Sequence, residues 1–470
     1  MSFQRTLLAL AIGLAVLPAH AANPNDPTTK ELLARIAALE ARLAAVEGRP
    51  EVPQVAEVDQ RLRVVERKQE LQVEADATRA AATPVVALAE KGLSVKSANG
   101  DFEVKVRGLV QGDFRQYFGA SSTSQLDTFL LRRVEPTLEG NWGKLVGFRI
   151  NAQLAGDSAT INDAYVDLKF DPRATVRVGK FKPPVGLERL QSSSSTSSIE
   201  LGLPSELAPG RDIGAQLQGD FGDIGLGYAV GLFNGAPDGR DGLTTNPDGD
   251  FELAARVFIE PWRNSANALS GLGFGIAGSK GEKHGSGNNF LPRYRTPGQV
   301  QFFNYRSTVL ADGDHARFSP QAYYYGGRLG VLAEYIKSSQ DVRTPAGATA
   351  SLDNTAWQVV AGWVLSGEDA SYRGVLKPTD AFSLDGSGWG AFELVGRYGH
   401  LGIDDDAFPL FADATTSAAS ASSWGLGLNW YLNANVKLVA NYARTSFDAF
   451  GNAAPRKDEE ILFTRAQLSF

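Results

Sequence analysis

Apolar and polar residues alternate along most of this chain, from Val104 to its last residue. In the first alternating segment, Val104 to Gln116, apolar side chains occupy mostly even positions, whereas polar residues such as Lys105 and Asp113 occupy odd positions. Successive side chains of a β-strand point to opposite faces, so this period of two predicts strands with one apolar and one polar face. About sixteen such segments follow one another, and together they predict an all-β domain.

The connections between these segments distinguish a membrane barrel from a soluble β-sandwich, which also alternates. Tight turns at 171–173 and 432–434 alternate with long polar loops, which include residues 237–250, 280–298 and 402–421. Short turns alternating with long loops are typical of transmembrane β-barrels, whose sheets close because unpaired backbone groups are costly in hydrocarbon. The final segment ends on Phe470, an ending that resembles the sorting signal of bacterial outer-membrane proteins. The sequence therefore predicts a closed antiparallel barrel in the outer membrane.

The N-terminus has the pattern of an export signal. Residues 1–21 combine Arg5, an apolar run and the motif Ala19-His20-Ala21, which predict a secretory signal peptide cleaved before Ala22. No later stretch offers the ~18 consecutive apolar residues of a membrane helix. The chain has no cysteine and a formal net charge of −7, so neither disulfides nor cysteine-based metal sites are expected.

Residues 22–75 are predicted to form a periplasmic helical coiled coil. Between Leu32 and Val46, and again between Val55 and Val65, apolar residues recur at steps of four and three, as they do in a heptad seam. The alternative is a surface helix that packs on its own domain. Residues 76–91 are interpreted as a linker, and residues 92–470 as the barrel domain.

One segment, Arg177 to Asp212, interrupts the alternation, and we refer to it as the insert. It contains four prolines and a Ser/Thr run from Ser192 to Ser198, between basic residues. Wide barrels of about sixteen strands enclose water, and long loops within a compact domain are usually functional or disordered. We therefore expect the insert to fold into the pore and narrow it, offering hydroxyl and basic groups to anions. A solvated surface loop is the alternative.

A family pattern is carried by TFLLRRVEPTLEG at 128–140, DAYVDLKF at 163–170, VGKFKPPVGLERLQSS at 178–193, RDIGAQLQGD at 211–220, GAFELVGRYGHL at 390–401, GLNWYLNANVKLVANYA at 427–443 and ILFTRAQLSF at 461–470. In these stretches the chain resembles the phosphate-selective porin O/P family, from about Asp101 to Phe470. The resemblance implies a 16-stranded antiparallel transmembrane β-barrel, assembled as a homotrimer, in which the insert is the infolded third loop.

The resemblance also implies positions for anion binding. They are the paired Arg132 and Arg133, then Arg189, and then Ser192 and Ser193. Lys180 and Lys182, which are basic residues of the insert, complete the set of candidate constriction residues.

Two departures from the family pattern concern phosphate. Family members carry an arginine after the second glutamate of the loop, whereas this chain has Leu201 after Glu200. They also carry an arginine on the first strand near Leu109, whereas this chain has Arg107 two residues earlier. A general anion preference is expected to survive both changes.

These patterns predict an outer-membrane porin of a Gram-negative bacterium that lets small anions diffuse passively, with phosphate and polyphosphate as candidate solutes. Its partners would be these anions, outer-membrane lipid and two further copies of the chain, without nucleic acid or a cofactor. The alternation of strand faces places both basic and acidic side chains in the lumen, so the lumen wall as a whole is not expected to act as a simple anion filter. Ion selection is expected at the constriction. The four histidines show no metal-ligand spacing, so no catalysis is expected. The alternatives are a general diffusion porin and a structural tether that acts through the N-terminal coiled coil.

Overall fold

The computed structural model describes residues 27–47, 53–119, 125–375 and 377–470. The predicted signal peptide, residues 1–21, lies outside the described residues. The chain divides into two compact units, Met1–Ala81 and Ala82–Phe470.

The N-terminal unit is helical, with helix α1 at Pro27–Glu47 and helix α2 at Pro53–Ala82. The described apolar side chains of the predicted seam are exposed, namely Ile36, Leu39, Val58, Leu62 and Val65. These described positions of the seam are therefore uncovered within this unit, and the coiled coil stays a prediction. Among the helices of the described ranges, none is both long and apolar enough to cross a membrane.

The predicted linker, residues 76–91, contains regular structure instead. Helix α2 continues to Ala82, because its alanine-rich end favours a helix. Strand β1, Val85–Ala89, follows and pairs antiparallel with β2, Gly92–Lys96, because this run contains β-branched and other apolar residues that favour a strand.

Sixteen further strands close into one antiparallel barrel, which confirms the expected fold. The strands after β2 are β3 Phe102–Phe118, β4 Thr128–Trp142, β5 Val146–Gln153, β6 Thr160–Asp171, β7 Ala174–Phe181, β8 Asp212–Phe221, β9 Leu226–Phe233, β10 Glu252–Ile259, β11 Leu272–Ser286, β12 Arg293–Arg295, β13 Gln301–Asn304, β14 Leu310–Gly326, β15 Leu329–Arg343, β16 Thr349–Val364, β17 Ala391–Gly402, β18 Ser420–Tyr431, β19 Val436–Asp448 and β20 Glu459–Ser469. Strands β12 and β13 form a separate hairpin outside the barrel sheet. The barrel closes where β20 pairs with β3, from Glu460 opposite Phe118 to Ser469 opposite Leu109. Closure gives each barrel strand two neighbours, as a sheet in hydrocarbon requires.

The period of two separates the two faces of the wall. Apolar side chains such as Phe274 and Ile276 of β11 are exposed on the outer face. Alternate positions on neighbouring strands, such as Gln321 of β14 and Glu334 of β15, are buried inside the barrel. The outer face is thus suited to lipid and the inner face to polar contacts.

The two ends of the barrel differ in the lengths of their connections. Short turns at 172–173 and 327–328 lie at one end, and the insert lies at the other with the long loops 234–251, 287–309 and 403–419. The connection 365–390 is an exception, because it is long and yet belongs to the short-turn end. Its Tyr372 stacks on the lumen-facing Tyr323 with ring centroids 5.2 Å apart and donates a hydrogen bond to the carbonyl of Leu187.

The largest apolar core lies inside the barrel, near the long loops. It joins the insert, two loops and the wall through Leu203, Leu207, Phe302, Phe303, Phe408, Phe411, Ile336 and Leu352. These side chains are all nearly inaccessible to solvent. The insert is therefore a packed element of the lumen, and the solvated surface loop is wrong.

Candidate functional site

The insert is fixed inside the barrel by polar side chains that come from several strands. Its backbone contacts include Leu187 N–H to Glu334 of β15 at 2.6 Å, Ile199 N–H to Asn441 of β19 at 2.8 Å, and the Ser193 carbonyl to Gln111 of β3 at 3.1 Å. Because the insert runs between β7 and β8, whereas β15 and β19 lie on a distant part of the barrel wall, the insert crosses the pore. It is thus placed to act as a constriction.

A β-bulge in β4 turns two consecutive arginines towards the lumen. The register of β3 against β4 shifts between Gln111 and Gly112, which leaves Arg132 as the extra residue beside Arg133. A bulge sets two residues opposite one and so suspends the strict alternation of faces. Arg133 donates to the Gln111 side chain at 2.8 Å, while Arg132 reaches Glu200 of the insert. Both members of the expected arginine pair therefore point inward.

Glu200 neutralises part of this positive charge. Its carboxylate accepts hydrogen bonds from Arg132 Nε at 2.6 Å, Arg132 Nη2 at 2.9 Å and Arg115 Nη2 at 2.7 Å. Burial of Glu200 disfavours its charged form, but the two guanidinium groups outweigh burial and hold its pKa well below the usual range. Arg132 is consequently committed to an internal carboxylate, which leaves Arg133 as the more available member of the pair.

Arginines from four parts of the chain line a cavity of about 310 Å³ beside the insert. They are Arg132, Arg133, Arg189, Arg240, Arg293 and Arg295. Three carboxylates share the lining, those of Glu200, Glu206 and Asp241. Leu201, at the position where the family pattern has an arginine, also lines this cavity. The cavity is large enough for a small solute.

Four of the six cavity arginines lack an internal counter-ion. Arg189, Arg240, Arg293 and Arg295 form no ion pair with a carboxylate within the part of the chain that the structure describes, although Arg189 donates to the Ser205 carbonyl at 2.6 Å. The Nε atoms of Arg189, Arg240 and Arg293 are buried without a hydrogen-bond partner among the described residues. A buried, charged N–H group that lacks a hydrogen-bond partner raises the free energy of the folded state unless a solute or solvent molecule accepts its hydrogen bond. The cavity can therefore receive an anion.

Three of these arginines were missed by sequence reasoning, because they lie in loops that contact the insert only after folding. Arg240 belongs to the loop 234–251, and Arg293 and Arg295 belong to β12. Between the last two, Tyr294 is fully buried on the opposite face of β12. The short alternation Arg-Tyr-Arg is the one local signal that indicates a strand with a basic face.

The two candidate lysines are placed differently from one another. In β7, Lys180 lies two residues after Val178, which is exposed on the outer wall, and so extends from the same face of the strand. The Nζ atom of Lys180 lies 3.9 Å from the Asp241 carboxylate. Lys182 donates from Nζ to the Gln191 carbonyl at 2.7 Å. Burial, with repulsion from Arg211 and Arg189, lowers the pKa of Lys182 to about 7. Lys182 is therefore a titratable cation next to the constriction.

The candidate serines contact the insert and the wall rather than the cavity. Ser192 is exposed, and its hydroxyl lies 3.0 Å from the hydroxyl of Ser194. Ser193 uses its carbonyl to accept from Gln111. Neither serine belongs to the cavity lining, so the structure brings together Arg132, Arg133 and Arg189 from the candidate set.

Glu206 is another group of the insert whose pKa lies near neutrality. Its carboxylate accepts the backbone N–H of Arg295 at 2.9 Å. Burial raises its pKa to about 7, although Arg189 opposes that shift. The net charge of the cavity therefore depends on pH near neutrality.

One group of potential metal ligands occurs among the described residues, at Asp250, Glu282 and His284. His284 Nδ1 lies 2.8 Å from the Asp250 carboxylate, and an ordinary hydrogen bond accounts for this proximity. The group lies outside the cavity lining.

Known proteins that resemble this chain agree with the barrel fold. Residues 104–470 match the model of the family described as phosphate-selective porin O and P. Porin O of Pseudomonas aeruginosa is 24% identical over 424 residues, which cover 82% of this chain and 92% of that protein. The outer-membrane channel DcaP of Acinetobacter baumannii is 14% identical and superimposes with a TM-score of 0.50, covering 80% of this chain and 99% of the other. OmpF of Salmonella typhi, in complex with daunomycin, is 11% identical with a TM-score of 0.50, covering 79% and 99%. At these identities the two solved structures share the fold.

Proposed function

This chain belongs to the phosphate-selective porin O and P family, and from that premise we propose that its channel prefers small anions and binds them in the arginine-lined cavity. The protein is a channel of the Gram-negative outer membrane rather than an enzyme. The proposal concerns which solutes pass and where they bind.

The observation that carries the proposal is the set of four cavity arginines that form no ion pair with a carboxylate among the described residues. A narrow passage with low-dielectric walls focuses the field of such charges and raises the local concentration of counter-ions. Glu206 and Asp241 reduce this field, although neither carboxylate forms an ion pair with the guanidinium of these arginines among the described residues. The passage therefore attracts anions, whereas wall arginines such as Arg177 and Arg465 are paired with the carboxylates of Asp167 and Asp113.

Guanidinium groups favour oxyanions in particular, because their planar donors match phosphate and carboxylate oxygens. We propose phosphate and other small oxyanions as solutes, with Arg133 and Arg189 as their main contacts from the candidate set. Arg132 orients the insert through Glu200, and Lys182 adds positive potential. Lys180, Ser192 and Ser193 affect the passage through the position of the insert.

Reversal potentials across a planar bilayer in a salt gradient test this proposal. Arg189→Ala and Arg293→Ala should each lower the anion-to-cation permeability ratio and weaken phosphate block of chloride current. Arg173→Ala is the matched control, since it removes the same charge from an exposed turn. A wild-type reversal potential near zero, or equal effects of all three substitutions, would favour a general diffusion porin.

We also propose that the protein is a homotrimer associated through its barrel wall, with residues 22–75 as a periplasmic coiled coil. The exposed apolar seam of α1 and α2 supports a helical partner. Light scattering of the protein in mild detergent should give the mass of three chains. If the coiled coil is not needed for trimer formation, a variant that lacks residues 25–75 should still have the mass of three of its own, shortened chains. A monomeric full-length protein would contradict the trimer.

A further inference from the structure

The hairpin of β1 and β2 continues the barrel wall beyond the end of β20. Along one edge of β3, residues 109–118 pair with β20, whereas residues 103–106 pair with β2. Phe470 lies between the two, because it exchanges backbone hydrogen bonds with Gly108 at 2.8 and 3.0 Å. The hairpin is thus a lateral extension of the sheet at the short-turn, periplasmic end.

The register fixes which face of the hairpin looks outward. On β3, Lys105 lines an internal cavity and Arg107 pairs with Glu139, so the alternate residues Val104 and Val106 face away from the lumen. Their partners on β2 are Val95 and Leu93, and the partners of these on β1 are Val86 and Leu88. All four outward positions of the hairpin are therefore aliphatic.

This outward face is continuous with the lipid-facing wall. One cross-strand row passes through five consecutive strands at Leu88, Leu93, Val106, Leu138 and Ile150. The last three belong to the barrel wall and are 42%, 39% and 48% exposed, while Leu88 is 83% exposed. The row has no charged member, and nothing in the described part of the chain covers it.

The outer edge of β1 limits how deeply the hairpin can enter the membrane. β1 pairs with β2 on one side and with no other strand of the described ranges, so the backbone N–H and C=O groups of its other edge have no strand partner there. Such an edge is excluded from the hydrocarbon core and needs water or polar headgroups. In solution, an exposed apolar edge strand would instead promote aggregation. An apolar face combined with a polar edge fits the boundary between acyl chains and headgroups.

We propose that the β1–β2 hairpin is a membrane-seated flange, whose outward face rests on the acyl chains of the periplasmic leaflet. Contacts at its tip hold it against the periplasmic rim. Glu90 forms an ion pair with Lys377 at 2.8 Å, and its carbonyl accepts from the Asn435 side chain. Because β1 begins three residues after α2 ends, the flange anchors the start of the barrel unit at the membrane surface.

Site-specific labelling tests the flange, since the native chain contains no cysteine. Leu88→Cys carries an environment-sensitive thiol fluorophore in the full-length protein, reconstituted into phosphatidylethanolamine–phosphatidylglycerol vesicles. Leu138→Cys on the barrel wall is the positive control. Ala87→Cys, on the opposite face of the same strand, is the matched control. Heat-modifiable migration and bilayer conductance verify that each labelled protein is folded.

The Leu88 label should show a blue-shifted emission and a loss of intensity with acyl-chain spin-labelled lipid, as the Leu138 label does. The Ala87 label should respond to aqueous iodide instead. If aqueous iodide quenched the Leu88 label and spin-labelled lipid did not, the proposal that the flange rests on acyl chains would be overturned. A blue-shifted Leu88 label that is insensitive to both quenchers would also overturn it, because a second copy of the chain would then cover the face. Neither outcome depends on the ion preference of the pore.

Discussion

Arg132 donates two parallel hydrogen bonds to the carboxylate of Glu200, from Nε to Oε1 at 2.6 Å and from Nη2 to Oε2 at 2.9 Å. Bidentate pairs of this kind are the geometry that arginine also uses for phosphate. Glu200 therefore occupies the donors that a passing anion would otherwise use. It also ties the far half of the insert to β4, so the same pair sets both the charge and the shape of the constriction.

Glu200→Gln should raise the anion-to-cation permeability ratio, because Arg132 and Arg115 lose their shared counter-ion. It should also destabilise the folded barrel by about 3 kcal/mol, since a buried ion pair that loses one partner leaves uncompensated charge. Reversal potentials measure the first effect, and the temperature of heat-modification in detergent measures the second. Glu282→Gln, an exposed glutamate of β11, is the control. An unchanged reversal potential would show that Glu200 does not limit the field of the pore.

Leu201→Arg should strengthen phosphate block of chloride current, because residue 201 lines the cavity and would add a guanidinium to it. One further partly exposed ion pair contributes about 1 kcal/mol, which corresponds to about a fivefold lower blocking concentration. Leu201→Met is the control for side-chain length. If the arginine and methionine variants were blocked equally, the cavity would not be the phosphate site.

Anion preference should fall as pH rises from about 6 to about 8. The pKa of Lys182 is lowered to about 7, so this side chain is charged below that pH and neutral above it. The pKa of Glu206 is raised to about 7, so this carboxyl is neutral below that pH and negative above it. Both changes remove positive charge from the passage. Reversal potentials of the wild type and of Glu206→Gln across this range check the sign, and the variant should show the weaker dependence. A flat wild-type profile would contradict both assignments.

Deleting Phe470 should reduce assembly of the barrel, because its backbone completes the junction of β20 with β3 at Gly108. The ring also packs on this glycine, where an added Cβ would lie 2.5 Å from a ring atom. Gly108→Val should therefore reduce the heat-modifiable form as the deletion does. Gly112→Val on the same strand is the control, since its Cβ would meet no atom within 4 Å. Equal yields of the two valine variants would argue against the contact.

The regular part of the fold could be predicted from the alternation of residues. A period of two follows from backbone geometry alone, so it reveals each strand and its two faces wherever pairing is regular. Together with the resemblance of several stretches to a known family, it indicated about sixteen strands, the inward course of the insert and the inward placement of Arg133 and Arg189, which both line the cavity. The helical N-terminal unit could be read from its spacing for the same local reason.

The composition of the cavity was decided by tertiary structure. Strand parity puts Arg132 and Arg133 on opposite faces, and a bulge, which depends on the pairing with β3, brings both inward. Arg240 and Arg293 lie in separate loops, and packing of these loops against the insert places them beside Arg189. Lys180 and Lys182 have the same charge in the sequence, but only burial in the folded lumen shifts the pKa of Lys182 towards neutrality. Local patterns determine strands because the direction of each side chain follows from its own backbone geometry. The grouping of the cavity arginines depends instead on contacts between residues far apart in the chain.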